Sequence, residues 1–204
     1  MYSPDYNRIE DRPELLAFLR ANNFPILVTG TGGVLHASHL PVTIHEHGSQ
    51  IVIDMHMAKN NPQWKEFLDD EVMVIFTGPH AYISPRWYAD EERVPTWNYA
   101  AVHAYGVPGI NSDAKMKAQS QRRLIESLDP DWLPKHDALS PKYVDMMLDG
   151  IVNFSIPVAR IETRWKLSQN RGRREMELIA AALEKSGDAG EHALAALTRR
   201  HFTD

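Results

Sequence analysis

The sequence predicts an α+β fold dominated by β-structure: a closed antiparallel barrel with inserted and C-terminal helices. Three observations lead there. Apolar, β-branched runs joined by short Gly- or His-containing turns recur from Phe24 to Ser84, as expected of antiparallel strands. The helical patterns are scattered, so the regular strand–helix alternation of a parallel doubly wound sheet is missing. The stretch Val94–Gly106 alternates two unlike faces when read as a strand. Trp97, Tyr99, Ala101, His103 and Tyr105 form an aromatic, polar-tipped face; Thr96, Asn98, Ala100, Val102, Ala104 and Gly106 form a small one. Small residues allow a flat ligand or another backbone to approach, and polar-tipped rings suit a half-wet wall or a subunit contact.

In chain order, Pro13–Asn22 reads as a short helix, with Pro13 in its first turn and Leu15, Leu16, Phe18 and Leu19 on its apolar face. Strands are expected over Phe24–Thr29, Val34–His45, Gln50–Met57, Glu71–Thr77 and Ala81–Ser84. Gly30-Thr31-Gly32-Gly33 supplies the first hairpin turn and His45-Glu46-His47-Gly48 the second. Asn60 to Leu68 carries a helix-start signature, Asn followed by Pro. Pro85–Pro95 is a polar, Pro-bounded loop containing Arg86, Trp87 and Tyr88, suited to a lid or a dimer arm. Helices follow at Ser112–Leu128 and Pro141–Leu148, a strand at Ile151–Ile161, a polar loop at Leu167–Arg171, and terminal helices at Arg173–Lys185 and Gly190–Arg200. The domain expectation is a unit over 1–171 with a helical extension over 172–204 packed on it.

Composition narrows the chemistry. With 204 residues and 43% hydrophobic content the chain can bury a core of its own. The absence of cysteine excludes disulfides, thiolate metal sites and thiol nucleophiles. A formal charge of −5 argues against broad attraction to nucleic acid. No apolar run is long enough to span a bilayer and the start lacks a signal-peptide pattern, so the expected location is cytoplasmic. His36 and His39 point apart on a strand, and His45 and His47 have only Glu46 beside them, so no metal site is expected. Dinucleotide, Walker, zinc-protease and serine-hydrolase signatures are absent.

Two segments have residue types suited to an anionic cofactor. Met55 to Pro62 ends a strand, presents Lys59 and opens a helix, and a helix start with a lysine suits a phosphate. Taken alone, the segment reads rather as a well-capped helix with a surface lysine. Lys166-Leu-Ser-Gln-Asn-Arg171 joins two cations to three hydrogen-bonding side chains, and reads alternatively as a polar linker capping the last helices.

Taken together, His36-Ala-Ser-His-Leu-Pro41, Asn61-Pro-Gln-Trp64, Gly78-Pro-His-Ala-Tyr-Ile-Ser84, Val94-Pro-Thr-Trp-Asn-Tyr99 with Val102-His103 and Tyr105-Gly106, and Lys166-Leu-Ser-Gln-Asn-Arg171 resemble the PaiB family of FMN-binding negative transcriptional regulators. The resemblance runs from about Met1 to Arg171. It implies a split β-barrel related to pyridoxamine-phosphate oxidase, forming homodimers with FMN at the subunit interface. It implies that Lys59 with Asn60 and Asn61 holds the phosphate, that Ala37, Ser38, His39 and Leu40 line the isoalloxazine through their backbone, and that Trp97 and Asn98 reach it from the partner chain, with Thr96 also at the cofactor. Lys166, Gln169 and Arg171 would close the site. The oxidases pair Arg with Lys at the phosphate; this chain has Ala58-Lys59, which leaves His36, His56 or Arg171 to supply the missing charge. No helix-turn-helix with a basic recognition helix is visible, so any effect on transcription is expected to be indirect. The alternatives are a flavin-dependent reductase using a nicotinamide donor, with His103 or His80 donating a proton, and, more weakly, a haem-binding split barrel.

Overall fold

A computed structural model describes residues 1–67, 70–90 and 92–202. Leu68 of the expected Asn60–Leu68 helix and Glu91 of the Pro85–Pro95 loop lie outside the described residues. The elements are α1 (Arg12–Ala21), β1 (Ile26–Thr31), β2 (Val34–His39), β3 (Val42–His47), β4 (Gln50–Ala58), β5 (Val72–Ile83), β6 (Thr96–Gly106), β7 (Gly109–Asn111), α2 (Ala114–Leu128), α3 (Leu133–Asp137), α4 (Pro141–Asp149), β8 (Ile151–Pro157), β9 (Arg160–Lys166), α5 (Arg173–Leu183) and α6 (Ala189–Arg200). Short 3-10 turns lie at Pro62–Glu66, Pro85–Trp87 and Gln169–Arg171, among others. Among the described residues no helix is long and apolar enough to cross a membrane.

The strands hydrogen-bond in two orders, β2-β1-β5-β6-β9 and β3-β4-β8-β7. The fold is therefore a pair of antiparallel sheets, and no single ring of strands closes among the described residues. The reason lies in two stretches that the hydrophobic pattern reads as continuous. Val34–His45 breaks at Leu40-Pro41, and Ile151–Ile161 breaks after Pro157. Proline has no N–H to give to a ladder, so each proline marks the end of one strand's pairing, and the chain resumes in the other sheet. The opposite error occurs at Gly78-Pro79: β5 runs unbroken from Val72 to Ile83. β5 pairs with β1 over Met73–Ile75, so Pro79 lies beyond that ladder and removes no bond from it. Gly78 is needed there, because a Cβ would lie 2.5 Å from the Phe18 ring.

The chain forms two compact units, residues 1–18, 77–102 and 162 onward, and residues 19–76 with 103–161. In the first, Trp165, Leu167, Met176, Ile179, Leu183 and Leu194 are fully buried, and the Phe18 and Trp165 rings lie 4.6 Å apart. In the second, Val42 and Ile44 of β3, Ile53, Met55 and Met57 of β4, and Phe154 and Ile156 of β8 form the core. The fully buried Phe154 packs 4.7 Å from Phe67, burial of the kind that contributes about 1.5–3 kcal/mol per large side chain. The hairpin between β1 and β2 closes on Gly32-Gly33, both with positive φ (60° and 83°), the geometry a two-residue turn requires.

The face of β4 and β8 opposite this core is polar. Asp54 and Asn153 are 3% and 0% exposed. Asp54 accepts from Arg123 of α2 at 2.5 Å and from Ser155 at 2.6 Å, while Asn153 donates to Ser120 of α2 at 2.9 Å and to the Met55 carbonyl at 3.1 Å. Helix α2 is thus fastened to the sheet by hydrogen bonds rather than by an apolar stripe.

Candidate functional site

In the second unit the candidate residues gather around one buried side chain. Gln63, 3% exposed, sits in the 3-10 turn after β4. Its amide donates toward the Leu27 carbonyl at 3.3 Å, the Thr29 hydroxyl at 3.2 Å and the His36 carbonyl at 3.2 Å. Its side-chain oxygen accepts from Ser38 at 2.5 Å, and Asn61 donates to that same serine oxygen at 3.0 Å. Asn61 also caps the turn by accepting from the Gln63 N–H at 3.0 Å. This network ties β1, β2 and the turn into one rigid wall. Beside it, His36 Nδ1 lies 2.6 Å from Glu66, whose other oxygen accepts from Thr29 at 2.5 Å.

The wall leaves one edge open. β2 is the edge strand of its sheet, and alternate main-chain groups of an edge strand point away from its neighbour. Val34–Ala37 and His39 are exposed, and His39 stacks on Phe24 at 5.9 Å. Leu40 is buried, and its N–H donates to the Pro25 carbonyl at 3.2 Å. Lys59 is exposed, its backbone fixed by a bond to the Gly150 carbonyl (2.9 Å) and by the Trp64 indole on its own carbonyl (3.0 Å). Its ammonium has no hydrogen-bond or ion-pair partner among the described residues, and Asn60 beside it is exposed. The expected helix here is only a five-residue 3-10 turn, Pro62–Glu66, whose first N–H groups are partly consumed by the Asn61 cap. So the cation that this segment offers is Lys59 itself, not a helix dipole.

In the first unit, Lys166 donates to the Thr96 hydroxyl and to the Trp97 carbonyl (2.8 Å). Burial, followed by the charge of Arg164, lowers its pKa from the usual lysine value. Asn98, fully buried, exchanges hydrogen bonds with Ser168 at 3.0 and 3.2 Å. Ser168 holds a left-handed backbone, φ 69°. Gln169 bridges the Leu167 N–H (2.8 Å) and the Trp165 carbonyl (2.5 Å). Thr96 with Lys166, Asn98 with Ser168, and Gln169 with the backbone of Trp165 and Leu167 are thus each engaged inside this unit, while Arg171 is exposed. Trp97 stands out from it, 53% exposed, with His80 and Tyr82 at 6.1 and 6.3 Å.

Three expectations change on contact with this geometry. The small face of β6 is not open to a partner: Ala100, Val102 and Ala104 are 2%, 0% and 1% exposed within the single chain. A Cβ at Gly106 would strike the Pro157 carbonyl, and one at Gly78 would meet the Ala100 carbonyl at 3.3 Å, so the small residues serve close packing of the chain on itself. The half-exposed face is the aromatic one, where Arg160 lies 3.5 Å over the Tyr105 ring and His103 is 6.5 Å from Tyr105. His56 does not join the Lys59 wall. It shares its strand face with Asp54 and pairs across with Asn153, the face covered by α2, and burial lowers its pKa below the ordinary value of 6.5. It is neutral near pH 7 and supplies no charge to an anion. His36, engaged by Glu66, is not a free cation either. The residues that sequence reasoning missed are Gln63, Glu66 and Thr29. Gln63 lies inside the Asn61-Pro-Gln-Trp64 motif, and an amide directly after a capping Asn-Pro is the signal that could have found it.

Residues 1–160 match the family described as "Putative FMN-binding domain". The chain is 36% identical to the Protease synthase and sporulation protein PAI 2 of Bacillus subtilis over 97% of its own length and 96% of that protein's. It is 29% identical to an uncharacterized protein of Emericella nidulans, over 87% and 88% of the two chains. Among solved structures it is similar to the flavocytochrome Anf3 from Azotobacter vinelandii (TM-score 0.59, 16% identity, covering 79% of this chain and 74% of that one). The FAD and heme binding protein from Mycobacterium smegmatis gives a TM-score of 0.59 at 13% identity, covering 78% and 72%. At such identities the two structures establish the split-barrel architecture alone.

Proposed function

The chain belongs to this PaiB-like family of FMN-binding domains, and from that premise we propose that it is a homodimeric flavoprotein in which the redox state of FMN governs an effect on transcription. The residues present fit the cofactor: an exposed strand edge at β2 can meet a planar ring system through main-chain groups, and an exposed lysine follows at the end of β4. The observation that carries the reading is the availability of Lys59, when His56 is neutral and Lys166 is committed to Thr96 and Trp97. Lys59 with Asn60 and Asn61 holds the phosphate; His36 to His39 line the ring edge, with Gln63 keeping that edge rigid. Trp97, flanked by His80 and Tyr82, is an aromatic surface suited to a second copy of the chain. FMN, when bound, supplies one- and two-electron redox chemistry, and the protein supplies position and electrostatics.

The regulatory part is supported by the name of the Bacillus subtilis relative, which ties that protein to protease synthesis and sporulation. With a formal charge of −5, regulation here proceeds through a protein partner or an effector rather than through broad contact with DNA. The test is an absorption titration with FMN, read together with light scattering of the loaded protein. Perturbed flavin bands in a species of twice the chain mass are expected, with Lys59→Glu abolishing the uptake and leaving the unfolding midpoint unchanged. Wild-type uptake by Lys59→Glu would refute the phosphate assignment, and a loaded monomer would refute the dimer.

A further inference from the structure

Away from the residues assigned to FMN, the second unit holds an open hollow of about 430 Å³ between the last turn of α1, strand β3 and helix α2. Its size falls within the roughly 300–1,000 Å³ of ordinary small-molecule sites. Two arginines line it, Arg20 and Arg123, together with Asn23, Thr43, His45 and Ser127. The hollow lies beside the polar sheet face that α2 covers, since Thr43 pairs across from Asp54.

Several features make this wall incomplete by itself. The Thr43 hydroxyl oxygen and His45 Nδ1 are buried atoms with no hydrogen-bond partner among the described residues. His45 Nδ1 lies 3.7 Å from Asp54, beyond hydrogen-bond reach. Buried polar atoms left unpaired cost about 1–3 kcal/mol each, so a ligand that draws the Thr43 hydroxyl and the His45 ring toward the hollow would relieve that cost. Arg123 is held by the buried Asp54 through one terminal nitrogen, yet its side chain is 43% exposed, so the remaining donors of its fork face outward. Arg20 is 52% exposed and its ion-pair contact to Glu46 is long, 3.8 Å. Glu126, also on the wall, is drawn toward Arg122 at 3.3 Å.

We propose that this hollow binds a small oxyanion-bearing molecule. Its carboxylate or phosphate head lies between the guanidinium groups of Arg20 and Arg123, and its polar body satisfies Thr43 and His45. Asp54 acts on this site as a positioning residue: it fixes the Arg123 fork, and Arg fixed in that way meets a two-oxygen anion in a bidentate manner. Because α2 is fastened to the sheet through the same Arg123–Asp54 pair, occupancy would be felt along that helix.

The experiment is an amide and arginine side-chain NMR titration of the FMN-loaded protein at constant ionic strength. Succinate and inorganic phosphate are the probes, one for each source of the oxyanion. FMN loading keeps the cofactor's own phosphate site filled, so the result does not depend on where that site lies. Saturable shifts at Arg20, Thr43 and His45 with either probe are expected. Arg20→Gln, a change at an exposed side chain, should weaken that binding by about tenfold, the value of one charge-assisted contact, and Thr43→Val should weaken it with the fold unchanged. A response to succinate alone identifies a carboxylate ligand, and to phosphate alone a phosphorylated one. Linear, non-saturating shifts with both probes, or equal saturation in wild type and Arg20→Gln, would overturn the proposal.

Discussion

Two lysines that the sequence offers for the same cofactor stand in opposite circumstances. Lys166 is partly buried, donates to Thr96 and to the Trp97 carbonyl, and has its pKa lowered by desolvation. Lys59 is exposed, with its backbone pinned and its ammonium uncommitted among the described residues. The first lysine works on the protein and the second waits for a ligand. A lysine next to an expected site is therefore no ligand residue until its own hydrogen bonds have been accounted for.

The sharpest way to break the comparison is to remove the support beneath Lys59 and leave the lysine itself in place. Gln63→Leu deletes the amide that serves Leu27, Thr29, His36 and Ser38 together. Because it strands several buried polar groups at once, the expected loss is about 3 kcal/mol of stability, read as a drop in the urea midpoint, with FMN uptake falling in parallel. A midpoint within error of wild type would mean that water replaces the amide and that the wall is not rigid.

Next comes the pair of lysines themselves. Lys59→Met should weaken FMN binding by about tenfold or more, as expected for loss of a charge-assisted contact, without moving the urea midpoint. Lys166→Met should do the reverse: about 1–2 kcal/mol of stability lost with its two hydrogen bonds, and FMN affinity altered far less. If both variants shifted affinity alike and stability not at all, the distinction between a structural and a ligand-binding lysine would fail.

His56 sharpens the contrast through pH. Burial depresses its pKa in the folded chain below 6.5. The unfolded chain therefore takes up the proton first as pH falls, so the stability contributed by the neutral imidazole is complete above the unfolded pKa and is lost as pH drops toward the folded one. Urea midpoints should fall between pH 7.5 and 5 by more in wild type than in His56→Asn. An unchanged slope in the variant would show that His56 is not the group responsible.

Much of this was legible in the residues. The strand read within Val94–Gly106 forms over Thr96–Gly106, and the helices read at Pro141–Leu148 and Arg173–Lys185 form over Pro141–Asp149 and Arg173–Leu183. What periodicity could not show was the point at which a strand changes sheet. Val34–His45 keeps its apolar pattern across Leu40-Pro41, and only the missing N–H of Pro41 distinguishes one long strand from two. The small face of β6 was misread for a related reason: small side chains permit close approach but do not say whose backbone approaches, and here it is the chain's own, at Pro157 against Gly106. The candidate lysines were found by type and position. Their separate roles depend on partners such as Thr96, some seventy residues away, a distance that no local pattern spans.

The smallest expected effect lies in the loop that follows Lys166, and it needs two variants to be seen. Ser168 combines a favourable and an unfavourable feature: buried hydrogen bonds to Asn98 and a left-handed backbone at φ 69°. Ser168→Ala keeps the backbone strain and orphans the fully buried Asn98 amide, and should cost about 1–3 kcal/mol. Ser168→Gly orphans the same amide but relieves the left-handed conformation, worth about 1 kcal/mol to glycine, so its net change should be clearly smaller. Thermal unfolding of the two variants measures the difference directly. Equal losses would mean that the backbone at Ser168 is not strained, and that the order of this turn rests on its hydrogen bonds to Asn98 alone.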